Sequence, residues 1–227
     1  MIYVMSDIHG CYEMYQKMLK KIAFGEKDLL YILGDVVDRG TEGMKVVLDI
    51  ADRENVILLR GNHDHTAAVL LSHFHILEEE NCSKVLLEVY KDWLSDGGDK
   101  TLLEFLKLSP DEREKVLVTL GKTEFFKEMD INGKHYLLAH TVPEKERLQE
   151  YPNWELYDYI IGEPDYEEVY FEDKYIITGH TPTGLIDKNS NGKIWMKNNH
   201  IAIDCGAVFG NKLGCLCLNT LEEFYVS

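Results

Sequence analysis

The chain has 227 residues, 45% of them hydrophobic and 28% charged, which is ordinary usage for a soluble globular protein and enough for one well-filled domain, here expected over 1–227. Its 24 basic side chains face 40 acidic ones, a formal net charge of −16 that excludes long-range attraction to nucleic acid. No run approaches the roughly 20 apolar residues that cross a bilayer, and Met1 to Val4 reads as a strand rather than a leader, so no membrane partner and a cytoplasmic location are expected.

In chain order, Ile2 to Met5 is a short apolar run of β type, and Cys11 to Phe24 then places Met14, Met18 and Ile22 at helical spacing. Leu29 to Leu33, a helix around Met44 to Ala51, and Val56 to Leu59 continue a β-α-β-α-β pattern, which favours a parallel sheet. From about Thr66 to Lys122 the pattern is wholly helical and reads as an α-helical insert, with Ser109-Pro110-Asp111-Glu112 opening one of its helices. Strands return after Glu124, where Asn132-Gly133 is a hairpin signal and Asn191-Gly192 reads as a second one. The expected class is α/β, two facing mixed sheets flanked by helices. Acidic runs such as Glu78-Glu79-Glu80 and Glu163 to Glu168 read as solvated faces. The five cysteines, Cys11, Cys82, Cys205, Cys215 and Cys217, are odd in number and lack Cys-x-x-Cys spacing, so reduced packing thiols are expected.

Polar residues follow the apolar runs in a consistent way. Asp7-Ile8-His9-Gly10, Gly34-Asp35-Val36-Val37-Asp38-Arg39-Gly40 and Arg60-Gly61-Asn62-His63-Asp64 each come directly after one, as do His140 and His180. Strand ends are where open α/β sheets carry their chemistry. Carboxylates, imidazoles and a carboxamide without thiolate suit divalent ions such as Mn, Fe, Zn, Co or Ni in a reactive centre. Arg39 and Arg60 are two of only five arginines, and a guanidinium can hold two phosphate oxygens in a permanently charged fork, so both read as a phosphate clamp. His65, His73 and His75 do not share a face cleanly with His63 and are left out of the site.

The ordered set Asp-x-His-Gly, Gly-Asp-Val-Val-Asp-Arg-Gly and Gly-Asn-His-Asp, followed by Ala139-His140 and Gly179-His180-Thr181-Pro182, resembles the phosphoprotein-phosphatase branch of the calcineurin-like metallophosphoesterases, in its small bacterial form. Ile203 to Gly210 resembles the segment that closes the second sheet in such proteins, and Trp93…Gly97-Gly98…Thr101 an element common in them. The resemblance implies two divalent ions, Mn first: one held by Asp7, His9 and Asp35, and a second held by Asn62, His140 and His180 with Asp35 bridging. It implies direct attack on phosphorus by a hydroxide shared between the ions. His63 is implied as the acid for the leaving oxygen and Asp38 as its orienter, with Asn62 also touching phosphate.

Many relatives carry a further arginine after the first late histidine, in a Trp-x-x-Arg context; here Trp154-Glu155-Leu156-Tyr157 has none, and Arg147 is the only arginine between His140 and His180. The small residues that often follow that histidine are replaced by Thr141-Val142-Pro143-Glu144. The shortage of arginine places a serine/threonine protein phosphatase acting on a phosphorylated protein ahead of a dinucleoside-tetraphosphate hydrolase acting on a small phosphoester. A third reading is a binding scaffold with weak catalysis, although His63, Asp38 and all six ligand candidates are present.

Overall fold

Period-2 alternation in the short apolar runs assigns each strand two different faces. In the computed structural model, which describes residues 1–74 and 83–227, Tyr3 and Met5 of β1 (Ile2–Met5) face one core while Val4 between them faces another. In β2 (Leu29–Ile32), Leu30 and Ile32 likewise oppose Tyr31. The first sheet runs in the order β10 (Glu223–Val226), β9 (Leu213–Cys217), β1, β2, β3 (Val56–Leu58). Its β1, β2 and β3 are parallel, and β9 returns antiparallel to β1. The second sheet runs β4 (Phe126–Ile131), β5 (Lys134–Ala139), β6 (Lys174–Thr178), β8 (His200–Ala202), β7 (Trp195–Lys197), with β5, β6 and β8 parallel. Val4, Tyr31 and Leu216 of the first sheet share one buried cluster with Tyr136, Leu138, Ile177 and Ile201 of the second, which makes a sandwich.

Helices cover both outer faces. α1 (Tyr12–Lys21) and α2 (Gly43–Ala51) pack on the first sheet through Tyr15, Met18, Val46, Val47 and Ile50. The stretch between β3 and β4 holds α3 (Asn62–Ser72), α4 (Lys84–Trp93), α5 (Asp99–Phe105) and α6 (Pro110–Gly121). Helix therefore starts at Asn62, four residues before the change of pattern at Thr66. The opening of α6 is a capping box: Ser109 Oγ accepts from Glu112 N at 3.4 Å, and Ser109 N donates to Glu112 Oε2 at 2.8 Å. α7 (Asp158–Ile161) packs on the second sheet with Trp154 and Tyr170, and α8 (Thr183–Ile186) follows β6. No helix among the described residues is long and apolar enough to cross a membrane.

Asn132-Gly133 forms the expected hairpin between β4 and β5, with φ of +53° and +77°. Asn191-Gly192 does not form one. No strand precedes it; a 3₁₀ turn at 188–190 leads into a tight turn closed by Lys193 N donating to Ser190 O. The hairpin of that region is Asn198-Asn199, both at φ +56°, between β7 and β8. Cys215 and Cys217 share one face of β9 in the helix-covered core. His75, Glu78 to Glu80 and Cys82 lie outside the described residues.

Candidate metal centre

The parallel strands β1, β2, β3 of one sheet and β5, β6 of the other end at the same edge, so the loops that leave them meet. Gly179 N donates to His140 O, and Asp7 N donates to Gly34 O. His180 N donates to Asp7 Oδ2 at 3.0 Å, which ties the first strand exit to the last. These loops are sharply folded. Asp7, His9, Asp35, Asp38, Arg39 and His180 all lie at φ between +43° and +67°, and they are six of the eleven non-glycine residues in that region among the described residues. Each such conformation costs of order 1–3 kcal/mol and persists where the surroundings enforce it, as at functional sites. The backbone also approaches the side chains closely: a Cβ on Gly61 would stand 2.1 Å from Asp35 Oδ1, and one on Gly179 2.1 Å from Asp7 Oδ2.

Two groups of donor atoms result, sharing Asp35: His9, Asp35 and His63 in one, and Asp35, His140 and His180 in the other. In the second, His140 Nε2 lies 3.3 Å from Asp35 Oδ2, 2.9 Å from Asn62 Oδ1 and 3.0 Å from His180 Nδ1. The rings are aimed from behind. His140 Nδ1 donates to Leu33 O at 2.7 Å and His9 Nδ1 to Val37 O at 2.8 Å, which turns each Nε2 inward. In the first group His9 Nε2 stands 3.6 Å from Asp35 Oδ2. Buried Asp7 lies on the same loop as His9 and is fixed by the His180 backbone.

Beside the first group, His63 Nδ1 donates to Asp38 Oδ2 at 2.8 Å, and Trp93 Nε1 donates to the same oxygen at 2.9 Å. Burial opposes charge on His63, but the Asp38 carboxylate and then Asp35 hold its pKa above the usual imidazole value. Arg39 Nη1 is 2.9 Å from His9 Nε2, and its Nη2 bonds Asp96 at 3.3 Å. Arg60 goes elsewhere. Its guanidinium donates to Leu120 O at 3.1 Å, Gly121 O at 2.7 Å and Thr123 Oγ1 at 2.7 Å, capping the carbonyls at the end of α6. Of the two arginines expected to clamp phosphate, Arg39 thus lies at the centre and Arg60 is committed to a helix terminus. Arg147 is spent on Glu150 and Asp158. His65 turns from the metal groups to the Tyr157 hydroxyl, 3.3 Å away.

A model of the family described as calcineurin-like phosphoesterase matches residues 1–184, most of the chain. The chain belongs to that family. Among curated relatives, a symmetrical bis(5′-nucleosyl)-tetraphosphatase of Buchnera aphidicola is 32% identical over 124 residues, 52% of this chain and 43% of the relative. The chain thus spans less than half the length of this relative. An asymmetrical bis(5′-nucleosyl)-tetraphosphatase of Oceanobacillus iheyensis is 24% identical over 92% of this chain and 85% of its own. A solved structure of a candidate diadenosine tetraphosphatase has a TM-score of 0.67 at 16% identity, covering 99% of this chain and 92% of its own. A Saccharomyces cerevisiae serine/threonine phosphatase reaches 0.60 at 16% identity, covering 96% and 72%. At these identities the solved structures confirm the fold, two mixed sheets flanked by helices.

The electrostatics of this calcineurin-like phosphoesterase fit a dinuclear centre. Asp7, Asp35, Asp38, Asp64 and Asp204 are all buried at one edge of the sandwich. Burial and the neighbouring Asp35 push Asp64 up to about 7, burial and Asp7 push Asp204 well up, and Asp7 itself is raised. Burial opposes charge on His140, yet Asp35 and Asp7 bring it up to about 10. Burial also opposes ionisation of Asp35, but His140 outweighs it and holds that carboxyl well below the usual range. The cluster draws positive charge into itself. Burial keeps His9 low and brings His180 down to about 4, leaving two neutral imidazoles, the form that ligates.

Several residues at this edge escape sequence reasoning. Asp64 accepts from Asp35 N at 2.7 Å, Val36 N at 3.0 Å and Gly61 N at 3.2 Å, so it pins the second and third loops together. Asp204, at the exit of β8, follows the same rule of place as the ligands, and that position was the available signal. Trp93 and Thr101 both reach Asp38: Thr101 Oγ1 accepts from Asp38 N at 2.9 Å. Their motif was visible, and its partner was not.

Proposed function

We propose that this chain is a two-metal phosphoester hydrolase acting on dinucleoside polyphosphates. What carries the reading is the convergence, within hydrogen-bonding distance, of Asn62, His140 and His180 around an Asp35 also shared with His9. Asp7, His9 and Asp35 would hold one ion, and Asn62, His140 and His180 the other with Asp35. The ions, manganese first among the candidates, would supply an activated water and draw charge from the phosphoryl oxygens.

The chain's own residues do the rest. Arg39 grips two phosphoryl oxygens, with Asn62 beside it. His63 presents Nε2 to the departing oxygen and gives it a proton, while Asp38 keeps the proton of Nδ1 in place and stabilises the charged ring. Trp93 and Thr101 hold Asp38. The names of the curated relatives support the dinucleoside substrate. This reverses the order expected from the scarcity of arginine, because ions at the centre would provide the positive charge that a polyphosphate needs.

One observation favours a phosphorylated protein as substrate instead. A cleft of about 370 Å³ beside His63, with Val89, Asp92, Trp93 and Asp96 in its walls, is apolar and acidic, which suits a peptide better than a nucleotide. Stripped protein re-supplied with Mn, Ni, Co, Zn or Mg and given diadenosine tetraphosphate or a phosphothreonine peptide separates the two. Metal-dependent release of nucleotide at the higher kcat/KM is expected. Preference for the peptide would reverse the assignment, and no turnover with any metal would leave a binding scaffold.

A further inference from the structure

One carboxylate stands on both groups that a phosphoryl substrate needs. Asp96 Oδ1 is 3.3 Å from Arg39 Nη2, and its Oδ2 is 3.5 Å from His63 Nε2. Asp96 is otherwise a surface residue, its side chain 61% exposed, whereas His63 is 4% exposed. It does not belong to the ligand set or to the Asp38 pair. Two oxygens spread across a guanidinium and a proton donor reproduce the placement of two phosphoryl oxygens between the same groups.

The backbone holds Asp96 there. Residues Leu94–Gly98 join α4 to α5 through a tight turn that is not helical at Asp96 and Gly97. Gly97 sits at φ +99°, its carbonyl accepts from Arg39 N at 3.1 Å, and a Cβ there would stand 2.6 Å from Arg39 N. At Gly98 a Cβ would enter the Trp93 ring at 2.3 to 2.4 Å. The turn is therefore seated against the Arg39 loop on one side and against the Asp38 partner on the other. The two glycines of the Trp…Gly-Gly…Thr element are what allow Asp96 this close.

We infer that Asp96 occupies the phosphoryl subsite in the resting protein, is displaced by substrate, and thereby keeps the hold on free phosphate weak. The inference rests on the reading of the centre as a phosphoester hydrolase. A bound phosphoryl group must take Arg39 from the carboxylate, so part of the binding energy of any anion is spent on the exchange. The product, inorganic phosphate, has only the phosphoryl contacts with which to meet that cost. A substrate with a further moiety in the adjoining cleft has others.

The test compares metal-loaded wild type with Asp96→Asn and Asp96→Glu, reading phosphate binding by calorimetry and the separate values of kcat and KM. Removing the charge is expected to tighten inorganic phosphate about three- to tenfold and to lower KM, with kcat within about twofold, the range appropriate to a half-exposed ion pair. Asp96→Glu, which keeps the charge, stays near wild type. Unchanged phosphate affinity in Asp96→Asn overturns the inference, as does equal behaviour of the two variants. A fall in kcat with KM and phosphate affinity unmoved also overturns it, because Asp96 would then merely brace His63. Wild type that takes up metal but binds no phosphate and turns over no phosphoester would instead overturn the reading of the centre, and the inference with it.

Discussion

Replacing Asp38 by Asn tests the acid–orienter pair while leaving every proposed metal ligand in place. Asp38 Oδ2 accepts from both His63 Nδ1 at 2.8 Å and Trp93 Nε1 at 2.9 Å, and the residue is fully buried, so water cannot stand in for the lost charge. An amide oxygen in the same position keeps the geometry and loses the attraction for an imidazolium. A buried hydrogen bond to a charged group contributes about 1.5–3 kcal/mol, which converts to a fall in kcat of about 10- to 150-fold. The acid must carry its proton to act. Asp38 holds the His63 pKa up, so the variant loses that support and the alkaline fall in kcat moves to lower pH. The assay is kcat across about pH 5.5 to 9 for phenyl phosphate and para-nitrophenyl phosphate, with metal content measured on the same samples. The good leaving group of the nitrophenyl ester needs less help from an acid, so its loss is the smaller. Equal losses on both esters, or an alkaline limb that does not move in a variant with full metal content, would refute the role.

Gly61→Ala places a methyl group 2.1 Å from Asp35 Oδ1, displacing the shared carboxylate, and metal affinity should fall by about 10- to 100-fold; titration of stripped protein with Mn checks this, and wild-type affinity would show that the loop relaxes freely. Asp64 binds its proton more tightly folded, about 7, than unfolded, so its contribution to stability is complete below the ordinary carboxylate pKa and is lost as pH rises toward 7. Urea midpoints of chelated protein should therefore fall over that window, Asp64→Asn should flatten the slope, and added metal should restore stability; a midpoint that rises with pH in chelated protein would contradict the sign. Leu138→Ala, fully buried between the sheets, should cost about 2–5 kcal/mol in urea denaturation, and a loss under 1 kcal/mol would mean the two sheets are not held by that core.

What the sequence disclosed and what it hid have physical reasons. The positions Asp7, Asp35, Asn62, His140 and His180 were legible because strands announce themselves by apolar runs and a sheet brings parallel strand ends to one edge. The same logic applies to Asp204, but the run before it is short, and its segment carries a resemblance that points to sheet closure instead. Arg60 was misread because a sequence gives the address of a side chain and not its heading: it follows β3 as Arg39 follows β2, yet the carbonyls at the end of α6 claim it. Asn191-Gly192 carries the chemistry of a tight turn, but a hairpin also needs two strands, and Asn198-Asn199 was the pair that had them. Asp64 stands in the Gly-Asn-His-Asp motif, but its role is hidden in the sequence because two of its partners are backbone amides 28 and 29 positions away, and no side-chain pattern encodes them.

The shared position of Asp35 has a consequence for how the molecule is assembled. Its neighbours come from opposite ends of the chain: His9 and Asn62 belong to loops of the first sheet, His140 and His180 to loops of the second. An ion bound across them would clasp two layers that are otherwise joined by their shared apolar core and by a few hydrogen bonds such as His180 N to Asp7 and His140 Nδ1 to Leu33 O. During synthesis the first three loops emerge long before His180, so a nascent chain would offer only a partial chelate, weak enough to let go. Completion of β6 would close the ring of donors, and metal retention would then report that both layers have docked in register.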